Sequence, residues 1–96
     1  MATSKKSKSE LIKHKVQFKY YAPNAGKVFL TGDFNKWNPI KKLMKKNAKG
    51  EWLTRVILPE GEHHYKFIVD GKYENDPGAV RYQENGVGTL NSIRIV

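Results

Sequence analysis

The feature that most constrains this chain is an alternation of apolar and polar side chains, repeated in short segments that are separated by turn residues. In KVQFKYY, the apolar side chains Val16, Phe18 and Tyr20 recur at every second position. The same period runs through EWLTRVIL and HHYKFIV. A period of two is typical of β-strands with one buried face, and no segment convincingly shows the period of an amphipathic helix. The chain is therefore predicted to be all-β.

Turn signals between these segments indicate how many strands there are. The dipeptide Asp70–Gly71 is typical of a two-residue hairpin. Turns are also predicted at Asn47–Gly50 and after Pro59. About seven short strands result, at intervals of roughly 8–12 residues, and this spacing predicts a β-sandwich.

Length, cysteine content and hydropathy narrow the class of protein. A chain of 96 residues has room for one modest core. We expect a single domain over residues 11–96, after a disordered basic tail at residues 1–10. The absence of cysteine excludes a disulfide framework and cysteine metal sites. No window approaches the roughly 20 apolar residues of a membrane span, and lysines interrupt the segment after the tail too often for a signal peptide. We expect a soluble, cytoplasmic protein without a membrane partner.

Basic residues are concentrated in the first half of the chain. Residues 1–49 carry 13 lysines and two acidic residues, whereas residues 50–96 carry five basic and seven acidic residues. Such an excess is typical of proteins with anionic partners, or it keeps exposed strand edges soluble. The basic half has no arginine, the residue that specific phosphate and base recognition usually recruits. We therefore expect no specific nucleic-acid partner.

No catalytic or metal-binding pattern stands out. His63 and His64 are adjacent on a predicted strand, so their side chains point to opposite faces and cannot share a metal ion. Glu60 and Glu62 flank a glycine turn, where solvated carboxylates are common. The segment around Val87 resembles a phosphate loop only in its glycines, because no helix follows it. We expect no catalytic residues, no metal and no cofactor.

Trp37 and Tyr73 are aromatic residues outside the predicted apolar strand faces. Trp37 belongs to the turn-rich segment TGDFNKWNP, in which Phe34 is expected to tuck inward, and Tyr73 lies just past the predicted hairpin turn. An exposed ring on a polar loop suits a sugar, because the C–H face of a pyranose stacks on it. It also suits a nucleic-acid base. Two stacks of roughly 2–3 kcal/mol each, before association costs, imply a weak site.

Three segments of the sequence resemble carbohydrate-binding module family 48. They are YYAPNAGKVFLTGDFNKWN, LPEGEHHYKFIVDGKYENDP and GVGTLNSIRIV. The family includes the glycogen-binding domain of the AMP-activated protein kinase β-subunit and the early-set domain of isoamylases and branching enzymes. The resemblance runs from about Val16 to Val96 and implies an immunoglobulin-like β-sandwich, so the carbohydrate-binding module is assigned to the expected domain, residues 11–96. It also implies that this module binds α-1,4-glucans such as glycogen, starch, maltooligosaccharides or cyclodextrins and has no catalytic residues.

The resemblance also implies which residues bind the sugar. Trp37 and Tyr73 would stack on glucose units. Lys66 and Asn91 would bond the sugar hydroxyls, and Thr89 would assist them. Val87 would make an apolar contact with the glucan helix. Tyr73 stands where the kinase-type domains have a second tryptophan, and Val87 stands where they have a leucine. Both differences predict weaker binding than in those domains.

A second interpretation comes from another class of function. In isoamylase-like and branching enzymes, the same kind of module often packs against a catalytic barrel and does not always bind sugar. The chain is then a protein-interaction module that docks in trans on a glucan-metabolising enzyme or a kinase, with a degenerate sugar site. A third interpretation is non-specific binding of polyanions through the lysine-rich half, and its affinity would fall steeply with salt.

Overall fold

The computed structural model of this protein describes residues 12–96. The predicted basic tail, residues 1–10, lies outside the described residues. A 3-10 turn, Asp33–Asn35, follows the second strand. The described residues form nine strands: β1 (Lys13–Tyr21), β2 (Val28–Gly32), β3 (Lys42–Leu43), β4 (Lys45–Lys46), β5 (Glu51–Pro59), β6 (Glu62–Val69), β7 (Lys72–Glu74), β8 (Arg81–Glu84) and β9 (Leu90–Ile95).

The strands form two sheets that pack face to face. One sheet has three strands in the order β1-β5-β4, and the other has six, in the order β3-β2-β6-β9-β8 with β7 paired to β6. Every pairing is antiparallel, and β1 and β5 pair over their full length, from Lys13 opposite Pro59 to Tyr21 opposite Glu51. This arrangement confirms the predicted all-β, immunoglobulin-like sandwich.

The number of strands differs from the seven or so that were predicted. The segment IKKLMKKNAKGEW indicates one short strand before the turn at Asn47–Gly50, but the structure has two there, β3 and β4, which belong to different sheets. The turn residues in PGAVRYQENGVG predict a loop, but this segment contains the strand β8. Its four residues are all exposed, so no buried face marks it in the sequence. Backbone hydrogen bonds to β9 alone define it as an edge strand.

The core lies between the sheets and is built by the side chains that the alternation places inward. Phe18 of β1 lies 4.9 Å, ring centroid to ring centroid, from Tyr65 of β6. Tyr20 lies 4.8 Å from Phe67 in the same way. The ring of Phe34, in the 3-10 turn, lies 5.7 Å from that of Phe18. The predicted inward face of β1 and the predicted tucking of Phe34 are thus confirmed.

The turn between β6 and β7 is the hairpin that the sequence predicts. Asp70 and Gly71 both have positive φ angles, 48° and 87°, as a type I′ turn requires. The hairpin brings Tyr73 opposite Ile68 of β6. None of the helical segments in residues 12–96 is long and apolar enough to cross a membrane.

Candidate functional site

All six predicted sugar-binding residues line one open groove of about 510 Å³. Lys66 of β6 lies at the base of this groove. Its neighbours Tyr65 and Phe67 point into the core, whereas Lys66 points away from it. The groove therefore lies on the outer face of the six-stranded sheet. The residues that line it are Trp37, Lys66, Tyr73, Asn85, Val87, Thr89 and Asn91. Asn85 is the member that the sequence did not predict.

Trp37 is held by the turn that follows β2. Its backbone N–H donates to the carbonyl of Gly32 over 2.8 Å, and the carboxamide of Asn35 bonds both the Gly32 N–H and the Leu30 carbonyl. Gly32 is required here, since a Cβ would lie 2.7 Å from the Phe34 ring and 2.6 Å from the His64 carbonyl. Lys36 and Trp37 both have φ angles of 57°. The tightly bonded turn fixes the direction of a ring that stays 37% exposed.

The ammonium group of Lys66 lies in the middle of the groove. Only 9% of the residue is exposed. Its Nζ donates to the hydroxyl of Thr89 over 2.9 Å and lies 5.9 Å from the centre of the Tyr73 ring, within the range of a cation–π contact. Among the described residues, no carboxylate lies within ion-pair distance of it. The groove thus contains the ammonium group of a mostly buried lysine, with N–H groups to spare.

The two rings of the groove differ in how they are supported. Tyr73 is 57% exposed on β7, the short strand that continues from the hairpin turn. Trp37 stands on the irregular turn after β2. Both rings border the same groove as Lys66. Two exposed rings around a cation are able to hold a ligand that has apolar faces and hydroxyl groups at its edges.

Asn85 organises the loop between β8 and β9, residues 85–89. Its backbone N–H donates to the Thr89 carbonyl over 3.1 Å and closes the loop. Its side chain bonds Thr89, Asn91 and the backbone of Val87. Two glycines with positive φ angles of 86° and 90°, at positions 86 and 88, let the chain turn this sharply. Val87 lies between them and is 79% exposed.

The sequence offered one signal for Asn85, namely that an asparagine precedes a glycine-rich turn. Asparagine commonly bonds its own backbone two residues further on, and Asn85 does so with Val87. That signal predicts a turn and not a place in the groove. The bonds to Thr89 and Asn91 depend on the pairing of β8 with β9, which the sequence did not reveal.

The histidines and carboxylates lie apart from the groove lining. His63 bonds the Pro59 carbonyl through Nε2, whereas His64 bonds Glu62. Hydrogen bonding from His64, with Arg81 nearby, lowers the pKa of the Glu62 carboxyl. In residues 12–96 there is no group of three or more histidine, cysteine, aspartate or glutamate side chains placed to hold a metal ion.

Comparison with known proteins gives a consistent result. A family model described as the glycogen recognition site of AMP-activated protein kinase matches residues 14–96. The 5'-AMP-activated protein kinase subunit beta-1 of Sus scrofa is 39% identical over 66 residues, which are 69% of this chain and 51% of the pig sequence. The beta-1 subunit of Rattus norvegicus is 39% identical and the beta-2 subunit of Homo sapiens 38% identical, each over 66 residues, which are 69% of this chain and 23% of the relative. The chain thus spans about half, or less than a quarter, of the relatives it matches.

Proposed function

Because the chain belongs to the family of glycogen recognition sites of AMP-activated protein kinase, we propose that it is a non-catalytic module that binds α-1,4-glucans. Its ligands are then glycogen, starch, maltooligosaccharides and cyclodextrins, and we expect it to act in the cytoplasm. The observation that carries the proposal is the convergence of the six expected residues on one groove. They come from four separate parts of the chain, so closeness in the sequence does not explain why they meet in one groove.

Each side chain has a role that suits a glucan. Trp37 and Tyr73 stack on the C–H faces of glucose units. Lys66 and Asn91 bond hydroxyl groups, and Thr89 assists them. Val87, at the tip of its loop, makes an apolar contact inside the curve of the glucan helix. The exposed position of both rings and of Val87 supports these roles, since each side chain is available without a change in the core.

The groove is suited to binding and not to cleavage of a glycosidic bond. Glycoside hydrolysis usually needs two carboxyl groups, which flank the scissile bond. The residues that line this groove include none. After association costs, two rings and a few hydrogen bonds imply a dissociation constant on the order of micromolar to millimolar.

A second candidate function is a protein-interaction module that docks on a glucan-metabolising enzyme or a kinase. The matched relatives are named as kinase subunits, and they are longer than this chain. A tyrosine and a valine in place of two larger side chains also favour a degenerate sugar site. In this case the groove would be unused, and the partner would contact another surface.

The test is a titration of the purified chain with β-cyclodextrin, followed by tryptophan fluorescence at low and at moderate salt. Trp52 is buried, with 6% exposed, so a change in emission reports on Trp37. We expect a saturable change that is insensitive to salt, because the ligand is neutral. A binding curve that weakens steeply with salt indicates a polyanion site instead. No change at millimolar ligand overturns the proposal and favours the interaction module.

A further inference from the structure

We propose that Asn85 is a positioning residue that makes one side of the groove a row of hydrogen-bond donors, so that a sugar is recognised through oxygen atoms that accept. The inference rests on the proposed function and concerns the same groove. Asn85 is half-buried directly after β8 and lies beside Thr89 and Asn91.

The backbone decides which way the Asn85 carboxamide faces. The Val87 N–H donates to Asn85 Oδ1 over 3.1 Å. A backbone N–H can only donate, so the oxygen must face Val87. The amide nitrogen Nδ2 then faces the other side, 2.6 Å from Thr89 Oγ1 and 3.2 Å from Asn91 Oδ1. The carboxamide is thereby held in one orientation, with its two donors directed at these two oxygens.

The orientation of Asn85 determines what the Thr89 hydroxyl can do. Thr89 Oγ1 accepts a hydrogen bond from Asn85 Nδ2 and another from Lys66 Nζ, over 2.6 Å and 2.9 Å. A hydroxyl group has two lone pairs and one hydrogen. With both lone pairs engaged, only the hydrogen remains for a ligand. Thr89 therefore acts towards the groove as a donor.

The same reasoning applies to Asn91 and Lys66. Asn91 Oδ1 accepts from Asn85, which leaves one lone pair of that oxygen and the two N–H groups of the Asn91 carboxamide. Lys66 has three N–H donors and no acceptor, and its bond to Thr89 uses one of them. Lys66 and Thr89 thus offer a ligand donors alone, and Asn91 offers two donors beside one remaining lone pair.

A row of donors selects among the ways in which a sugar hydroxyl can bond. A free hydroxyl both donates and accepts, but beside Lys66 and Thr89 its oxygen must accept. Asn91 and Lys66 are about nine-tenths buried, and a buried donor left without an acceptor is costly. A ligand that keeps an acceptor at the contacted position should therefore bind, even when it lacks the hydroxyl hydrogen.

The experiment uses maltotriose analogues in which one hydroxyl at a time is replaced by fluorine or by hydrogen. Fluorine keeps a weak acceptor and loses the donor, whereas hydrogen removes both. Dissociation constants are measured by NMR titration of the whole chain. At the hydroxyls that contact the row, we expect the deoxy analogue to bind about tenfold more weakly than maltotriose. The fluoro analogue should lose about threefold or less.

Two substitutions test whether Asn85 sets this preference. In Asn85→Asp, the new carboxylate still accepts from the Val87 N–H but cannot donate, so the Thr89 hydrogen turns towards it and a lone pair faces the groove. The fluoro analogue should then bind as weakly as the deoxy analogue. Asn85→Ala removes the carboxamide without a change of charge, and the preference for fluorine should shrink. Asn24→Asp is the matched control, because Asn24 is exposed in the β1–β2 loop and does not line the groove.

The outcomes separate this inference from the proposed function. A fluorine preference in the natural chain and in Asn24→Asp, lost in Asn85→Asp, supports it. If the natural chain binds maltotriose but treats both analogues alike at every position, the inference is overturned and the proposed function stands. The same holds if Asn85→Asp, with an unfolding curve like that of the natural chain, keeps the preference. If the natural chain does not bind maltotriose or β-cyclodextrin at all, both are overturned.

Discussion

Trp37 occupies a backbone conformation that tryptophan rarely adopts. It and Lys36 both have φ angles of 57°, and each non-glycine residue in the left-handed region costs on the order of 1 kcal/mol. The hydrogen bond from the Trp37 N–H to the Gly32 carbonyl and the bonds of Asn35 to Gly32 and Leu30 hold the turn in this form. Such strain is found mainly where a side chain has a function. It therefore supports a role for the exposed ring.

Trp37→Ala should abolish retention on glycogen while changing the free energy of unfolding by no more than about 1 kcal/mol. The ring is part of the groove, and it does not belong to the core cluster. Affinity electrophoresis in glycogen and urea unfolding measure the two effects. Tyr21→Ala is the control, because Tyr21 is exposed on the other sheet and its loss should leave retention intact. A large loss of stability in Trp37→Ala means that the ring belongs to the core.

Tyr65 links stability to alkaline pH. Burial, and then the hydrogen bond from its hydroxyl to Asp76, raise the pKa of Tyr65 far above its ordinary value of 10.0. Burial raises the pKa of Tyr20 as well. The folded state holds these protons more tightly than the unfolded state does. The contribution of these two protonated hydroxyls to the free energy of unfolding is therefore complete below pH 10.0 and is lost as the pH rises above it.

Tyr65→Phe should lower stability at neutral pH by about 1–2 kcal/mol, because the Asp76 carboxylate loses a buried donor. It should also make the fall in stability between neutral pH and about pH 11 shallower. Urea midpoints across that range measure both effects. The exposed Tyr21→Phe provides the comparison and should follow the natural chain. If the stability of Tyr65→Phe falls as steeply with rising pH as that of the natural chain, the Tyr65 hydroxyl is not the source of the fall.

At the scale of secondary structure, the strands that border the core were predictable and the edge strands were not. The strands β1 and β5 bury alternate side chains, and β6 places Tyr65 and Phe67 in the core although the residues between and after them are buried as well; the underlying period of two is visible in the sequence. β8 buries none of its four side chains, and β3 and β4 have two residues each. These short or exposed strands are defined by backbone hydrogen bonds to a neighbouring strand. Backbone hydrogen bonds leave no pattern of apolar side chains in the sequence.

The same distinction applies to the groove. Trp37 and Tyr73 were identified as exposed rings, and the alternation in HHYKFIV places Lys66 on the face opposite Tyr65 and Phe67. The remaining predicted residues were supplied by the resemblance. Asn85 stayed hidden because its contacts arise from the closure of a loop, which depends on the pairing of Glu84 with Leu90. A local sequence shows that a turn is present but not which strands it joins.

The β6–β7 hairpin is anchored to the rest of the sheet by Asp70. Its carboxylate accepts hydrogen bonds from the backbone N–H groups of Gly26 and Lys27, each over 2.9 Å, and its own N–H donates to the Lys27 carbonyl. Asp70 also has a φ angle of 48°. The hairpin carries Tyr73, so this anchor connects the stability of the fold with the position of one ring of the groove.

Asp70→Ala should destabilise the protein by about 1–3 kcal/mol, through the lost hydrogen bonds and the strained φ angle. It should also weaken β-cyclodextrin binding several-fold. Asp70→Asn keeps an acceptor oxygen and tolerates the left-handed conformation, so it should recover most of both losses. Urea unfolding and a fluorescence titration of the two variants provide the comparison. If Asp70→Asn loses as much stability and affinity as Asp70→Ala, the hydrogen bonds of Asp70 do not anchor the hairpin.

At the scale of the whole molecule, the groove and the main basic surface lie on opposite sheets. The exposed, outward positions of β1 include Lys13, Lys15 and Lys19, and Arg55 of β5 lies beside them, opposite Gln17. This surface belongs to the three-stranded sheet, whereas the groove lies on the outer face of the six-stranded sheet. This cluster of four basic side chains is thus separated from the candidate sugar site.

A polyanion such as heparin should therefore fail to displace β-cyclodextrin at low salt, even in large excess. Heparin binding itself should fall steeply as salt is raised, whereas cyclodextrin binding should not change. Competition followed by tryptophan fluorescence tests this, and Lys15→Glu, on the basic surface, should weaken heparin alone. If heparin displaces cyclodextrin in a stoichiometric manner, one surface serves both ligands.

The left-handed pair Lys36–Trp37 has a consequence for how this sequence changes over many generations. Glycine at position 37 would relieve the backbone and remove the ring, so stability and binding favour different residues there. Most proteins are held only just above the stability they need, and a residue that costs stability persists while its function is selected. In a lineage that stops using the groove, drift should remove the tryptophan early. The identity of this residue in each descendant thus records whether the groove was still in use.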